Sequence, residues 1–429
     1  MAYRVPYGQG ELSFELSAGM RGDLAVSQAV TPLSDPPQAI REALAKPVGC
    51  APLREMAKRG DRVCIVFTDA TRASPDHLLI PAILQELQAA GVRDADITLL
   101  CGIGMHRPST AEEKIEKLGR EVVERYRVVD HTPCEPANLA DLGTTESGIP
   151  LSVNRIAYEA DLLIATGLVE PHQYAGYSGG SKTLSVGAAG EAMIAYTHGP
   201  AMIDHPGTRL GRIEGNPFQE AITEAARRAG LKFILNVVLD DENRIVAVRA
   251  GDPRAAFIEL VTFARSIYEV PIKKQYDVVI GGVGYPKDAN LYQASRAASY
   301  LYFAPMPVIR PGGIFIIPAR CQEGAGAGVG EQRFLKAMQE APNVRFILEQ
   351  ARRHGYPPGQ QRAFIMAKVL EQNEVIIVGA EHPDVIRSAK FLAEPSMEAA
   401  FDTVQKKLGH KLDVLIVPHA LRTLPIVQD

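Results

Sequence analysis

The sequence predicts an α/β fold, with two α/β domains built on mainly parallel sheets and a cleft between them. Three observations predict it. Short apolar runs rich in β-branched residues recur along the chain and end in a small or polar residue, as strands buried on both faces do. Apolar residues at helical spacing fill an interval between such runs. The chain has 429 residues, beyond the size at which a single core usually stops growing, so two cores are expected.

In chain order, the first strand is Val63-Cys64-Ile65-Val66-Phe67, running into Thr68-Asp69. Ile80, Ile83, Leu84 and Leu87 then recur on one helical face, and Gly91 supplies a stop. Ile97-Thr98-Leu99-Leu100 follows, ending at Cys101-Gly102, and Leu162-Leu163-Ile164-Ala165 ends at Thr166-Gly167. The second half repeats the style with Val278-Val279-Ile280, Ile314-Phe315-Ile316-Ile317, Val375-Ile376-Ile377-Val378 and Val414-Leu415-Ile416-Val417. Helical composition from Arg362 to Gln372 and from Met397 to Lys407 separates these strands. The polar, proline-containing stretch Glu269-Val270-Pro271-Ile272-Lys273-Lys274-Gln275 reads as a linker, which sets the domains at 1–270 and 271–429.

A formal net charge of −4, with both signs spread along the chain, gives no reason to expect nucleic acid or an anionic membrane as a partner. The N-terminus lacks a basic segment followed by an apolar one, and no stretch is long enough to span a bilayer, so a cytoplasmic protein is expected. Five dispersed cysteines without CxxC spacing fit reduced thiols. Small-molecule chemistry is the expected business of the chain.

Ligands of open parallel sheets bind beyond the carboxyl ends of the strands, so the residues just after each apolar run matter most. After the first strand, Thr68-Asp69-Ala70-Thr71-Arg72 offers short hydrogen-bonding groups and a guanidinium shaped to grip a carboxylate or phosphate. Its plain alternative is an Asp-capped turn with a surface arginine. After the second, His106 precedes Ser109-Thr110-Ala111-Glu112-Glu113, a helix-start signature that leaves the imidazole on a loop where it can exchange protons near neutrality. The third strand leads into Pro171-His172-Gln173-Tyr174-Ala175-Gly176-Tyr177-Ser178-Gly179-Gly180-Ser181-Lys182. Glycines allow close backbone approach to a phosphate, and the terminal lysine offers a charge or a nucleophilic amine. The spacing of a Walker A loop is absent. His198 stands further on, and taken alone an imidazole of this kind is more often a helix-end residue than a metal ligand.

Taken together, Asp69 with Arg72, Gly104-Met105-His106-Arg107-Pro108, Pro171-His172, Gly176-Tyr177-Ser178-Gly179-Gly180-Ser181-Lys182 and His198 resemble the nickel-pincer-dependent lactate racemase family, in order and spacing and over essentially the whole chain. The resemblance implies a racemase or epimerase that inverts C2 of a small 2-hydroxy acid through a 2-oxo acid. It implies a cofactor, a pyridinium-3-thioamide-5-thiocarboxylic acid mononucleotide carrying nickel, tethered to Lys182, with His198 as the protein's nickel ligand. Asp69, Thr71, Ser178, Gly179 and Gly180 are then expected at the cofactor, and His106 and His172 as alternating acid and base. Cofactor-biosynthesis proteins are the implied partners in maturation. In the second domain, Tyr292 and Gln293 match the family's substrate contacts, while Arg296 stands where the family has a lysine. Arg72 and Arg296 are the expected carboxylate partners. A second departure is the missing proline in Lys182-Thr183-Leu184-Ser185-Val186-Gly187. The glycine-rich loop Cys321-Gln322-Glu323-Gly324-Ala325-Gly326-Ala327-Gly328 reads either as a cleft lining or as a plain connector. Two rivals are a non-catalytic carrier of the nickel nucleotide and a nicotinamide-dependent dehydrogenase. The second lacks a GxGxxG turn with its distal acid.

Overall fold

The computed structural model describes residues 2–357 and 359–428. Its contacts divide the chain into two compact units, one made of Ala29–His198 and Arg212–Ile267, the other of the residues up to Gln28, Gly199–Gly211 and the chain from Tyr268 onward.

The first unit is built on a sheet of six strands in the order Ile245–Gly251, Leu231–Leu239, Leu162–Leu168, Val63–Thr68, Ile97–Gly102, Arg127–Asp130. Every neighbouring pair is parallel except the first, which is antiparallel. All six residues of Val63–Thr68 are buried, as expected of a central strand covered on both faces. The helix Asp76–Ala89 covers one face with Leu79, Ile80, Ile83, Leu84 and Leu87, all buried in the same core as the strands. Each such side chain contributes about 1.5–3 kcal/mol by leaving water. Past the helix end, Gly91 adopts a left-handed φ of +83° and its N–H closes on the Gln88 carbonyl, which is the stop that the sequence announces.

The second unit carries a six-stranded sheet that is parallel throughout, in the order Leu392–Glu394, Glu374–Val378, Ile309–Pro318, Tyr276–Gly281, Leu412–Val417, Met20–Leu24. The edge strand comes from the other end of the chain, which is why the first residues group with this unit rather than with the residues that follow them. Gly199–Gly211 joins it too. Asp204 pairs with Arg352 and Lys368, and the Leu210 N–H reaches the Phe303 carbonyl at 2.9 Å. The contact grouping thus departs in these two segments from a single cut at residue 270.

One expectation is overturned. The stretch read as a linker contains a strand, Glu269–Ile272, paired in parallel with Leu424–Val427. Its lysines lie after the strand, and Ile272 is buried within it, so local polarity misleads where cross-strand pairing decides.

Candidate active site

Two loops at the carboxyl ends of adjacent strands meet around Asp69. The His106 ring lies on the loop after Ile97–Gly102, and its Nδ1 is 2.6 Å from Asp69 Oδ2. Thr71 Oγ1 donates to the other carboxylate oxygen at 2.7 Å. Burial works against ionisation of Asp69, but bonds from His106 and Thr71, with the charges of His106 and Arg72, outweigh it and hold the carboxyl below its ordinary range. The loop carrying Arg72 is tied down from below. Lys117 Nζ donates to the Arg72 and Ser74 carbonyls, both at 2.8 Å, and pairs with the fully buried Asp76 at 3.3 Å. Asp76 also accepts from Thr68, Ser74 and Thr166 hydroxyls. A buried ion pair is tolerated when its remaining valences are satisfied in this way.

The glycine loop is held by its own polar groups. Ser178 Oγ donates to the Leu168 carbonyl at 2.8 Å and accepts from the Glu170 N–H at 3.1 Å, while the Gly180 N–H donates to Asn236 Oδ1 at 2.7 Å. Gly176 has φ +76°, and a Cβ there would fall 2.0 Å from the Arg212 carbonyl oxygen, so no other residue fits. The loop delivers Lys182 to the first position of the short helix Lys182–Ser185. Burial, then the Arg72 charge, pull the Lys182 ammonium down to about 7, against weaker support from Glu170 and Asp69. A substantial fraction is therefore free amine near neutrality.

His198 caps the helix Glu191–Thr197. Its Nδ1 is 3.0 Å from the Ile194 carbonyl, which can only accept, so Nδ1 carries the proton and Nε2 the lone pair. Burial, then the Lys182 charge, depress this imidazole to about 4. Tyr174 and Phe218 pack edge-on to it with ring centroids at 5.3 and 5.2 Å. The same two rings flank His172, whose Nδ1 accepts from the Tyr174 and Ala175 N–H groups at 3.3 and 3.2 Å. Asn216 links the layer to the next helix. Its Nδ2 donates to the Tyr174 carbonyl at 2.8 Å, and its Oδ1 caps Pro217–Ala229. Among the described residues no group of three or more His, Cys, Asp or Glu side chains is placed to hold a metal ion.

In the second unit, Asn290 caps the short helix Leu291–Ala294, which presents Tyr292 and Gln293. The loop from Cys321 braces this helix, with the Leu291 N–H on the Gly324 carbonyl and the Cys321 N–H on the Asp288 carbonyl. Arg296 Nη1 donates to Gln293 Oε1 at 3.3 Å and Nη2 to the Tyr300 hydroxyl at 2.8 Å. A second guanidinium, that of the buried Arg362, lies 5.5 Å from the Tyr292 ring centroid and donates to Ser299 Oγ at 2.9 Å.

The N-terminal domain of lactate racemase matches residues 7–211, and its C-terminal domain matches residues 272–424. The lactate racemase of Thermoanaerobacterium thermosaccharolyticum is 33% identical over 378 residues, 87% of each chain. That of Lactiplantibacillus plantarum is 31% identical over 428 residues, 98% of this chain and 99% of its own. The chain belongs to the lactate racemase family. The solved apoprotein from T. thermosaccharolyticum superposes on this racemase with a TM-score of 0.87 at 29% identity and full coverage of both chains. A protein from Thermotoga maritima, 20% identical, shares the fold with a TM-score of 0.67 over 94% of this chain and all of its own. The enzyme class is that of an isomerase.

Of the residues singled out in the sequence, the first unit of the racemase brings Asp69, Thr71 and His106 into one bonded group, and Lys182 and His198 into one electrostatic field that Arg72 shares. The second unit brings Tyr292, Gln293 and Arg296 onto consecutive short helices. Ser178 and the Gly180 N–H serve the loop itself. The residues that sequence reading passed over are Asp76, Lys117, Asn216, Phe218, Asn236 and Arg362. Asn216, beside a proline at a helix start, carried the capping signal that would have found it.

Proposed function

We propose that this racemase inverts C2 of a small 2-hydroxy acid and that its cofactor is a nickel-pincer nucleotide tethered to Lys182, with His198 as the protein's nickel ligand. One observation carries the reading. An amine with a pKa of about 7 and a neutral imidazole, its Nδ1–H bonded to a backbone carbonyl, lie in each other's field. A metal-bound histidine ordinarily has its second nitrogen engaged in this way, and a partly deprotonated lysine is ready to be acylated. The donor set also fits. A nucleotide that brings sulfur and carbon donors of its own asks the protein for one further ligand, and His198 is one. When bound, the nucleotide supplies a reversible acceptor for the hydrogen on C2.

The remaining work falls to side chains. Arg72 and Arg296 are the carboxylate partners, each with a fork of N–H donors, and Arg296 offers two where the family lysine offers a point charge. Tyr292 and Gln293 bound the substrate. His106 and His172 handle the hydroxyl proton, which must leave as C2 becomes planar and return as it is rebuilt. The loop Ser178, Gly179 and Gly180 sets the Lys182 backbone and would border the nucleotide. The test is production of the protein together with pincer-forming enzymes. Intact mass should rise by the nucleotide, nickel should appear at one per chain, and a pure enantiomer of a suitable 2-hydroxy acid should become racemic. An unmodified Lys182 in an active protein would end the proposal.

A further inference from the structure

We propose that Asp69, aligned by Thr71, is a positioning residue that fixes His106 in the tautomer whose Nε2 is an open base. The inference rests on the reading of His106 as the acceptor of the substrate's hydroxyl proton, and it gives Asp69 and Thr71 a task other than cofactor contact.

The geometry is a relay of three groups. Thr71 Oγ1 has a single hydrogen and gives it to Asp69 Oδ1 at 2.7 Å. That bond turns the other oxygen, Oδ2, toward His106 Nδ1 at 2.6 Å. An ionised carboxylate has no proton to offer, so the short contact needs one on Nδ1, and Nε2 is left with its lone pair. Asp69 is 6% exposed, which shields the contact from competing water, while the His106 side chain is half exposed and open to an incoming substrate. When the substrate O–H bond breaks, its electron pair stays on oxygen and a new N–H bond forms at Nε2. The imidazolium so created lies against the carboxylate already in place, and the reverse step returns the proton to oxygen.

His172 is presented the other way round. Two backbone N–H groups donate to its Nδ1, so its neutral ring carries the proton on Nε2. A carboxylate thus sets one imidazole, and the turn Tyr174-Ala175 sets the other. The two rings start from opposite protonation patterns.

Asp69→Asn separates this role from others. Thr71 continues to donate to the amide oxygen, which leaves the amide NH2 facing His106; that group can only donate, so the ring proton moves to Nε2 and the base is lost. Long-range 15N–1H correlation spectra of the apoprotein read the tautomer directly, with His106 and His172 assigned by loss of their signals in His106→Gln and His172→Gln. The expected result is an Nδ1–H His106 in the wild type, an Nε2–H His106 in Asp69→Asn, and an Nε2–H His172 in both. The loaded variant is expected to keep its nucleotide and nickel and to lose about 100-fold or more in racemisation, the usual range for a missing proton acceptor. Thr71→Val, at an exposed position, is the second variant. It should give a mixed His106 tautomer and about a tenfold loss. An Nε2–H His106 in the wild type overturns the proposal, as does an unchanged tautomer in both variants. So does a loss of nucleotide loading with the tautomer intact, which would place Asp69 at the cofactor. Failure of the loaded wild type to racemise any 2-hydroxy acid counts against the functional reading instead, because the ring spectra are recorded without it.

Discussion

Lys182 and His198 in one unit, and Arg296 and Arg362 in the other, meet the same physical difficulty with opposite outcomes. All four are basic groups drawn out of water. The amine and the imidazole can shed a proton and do so readily, falling to about 7 and about 4. Guanidinium cannot discharge in a protein, so the arginines stay cationic and take aromatic faces and hydroxyls as company: Tyr300 for Arg296, Tyr292 and Ser299 for Arg362. The difference teaches which chemistry each region suits. Neutral nitrogen with a lone pair makes a nucleophile or a metal ligand, whereas a fixed cation makes an anion clamp.

The sharpest way to break this comparison is to put a permanent cation where discharge is required. Lys182→Arg should abolish nucleotide attachment and racemisation together, and intact mass with a chiral assay reports both. Retained attachment would show that a free amine is not the requirement. In the wild-type apoprotein, acylation of Lys182 followed by peptide mapping should be half-maximal near pH 7, the value to which burial and Arg72 bring it. The sign follows from a depressed base. Above about 7 the amine is neutral and reactive, below it protonated and inert, whereas an ordinary lysine waits until 10.5.

A further buried base sharpens the contrast, since Lys117 is accompanied by a carboxylate. Lys117→Met strands Asp76 among groups arranged for an ion pair, and urea unfolding should record a loss of about 3–5 kcal/mol. A loss under about 1 kcal/mol would mean that the three hydroxyls alone suffice for Asp76. Smaller again is the effect expected of Arg296→Gln. Loss of one charge-assisted bond to substrate, about 1.5–3 kcal/mol, should raise KM roughly tenfold to 100-fold with little change in kcat. A fall in kcat at unchanged KM would move Arg296 from binding to the transition state.

How much of this was legible in the sequence depended on distance along the chain. Strands such as Val63–Thr68 announce themselves because burial on both faces forces unbroken apolar runs, and Asp76–Ala89 because its buried face repeats at helical spacing. Met20–Leu24 gave no such sign. It is an edge strand with polar residues facing out, and its partner lies at the far end of the chain. The site residues that stand just after strands were found by position, and the resemblance gathered them. Their supporting contacts were not, because 37 residues separate Asp69 from His106, and nothing local to either residue announces the bond. Phe218 likewise reads as an ordinary apolar helix residue until it is seen against both His172 and His198.

The pairing of Met20–Leu24 with Leu412–Val417 also orders the making of the molecule. Every residue of the unit that holds Lys182 and His198 lies between positions 29 and 267, so that unit can close while the ribosome is still translating. The strand Met20–Leu24 has no seat in its sheet until Leu412–Val417 has emerged.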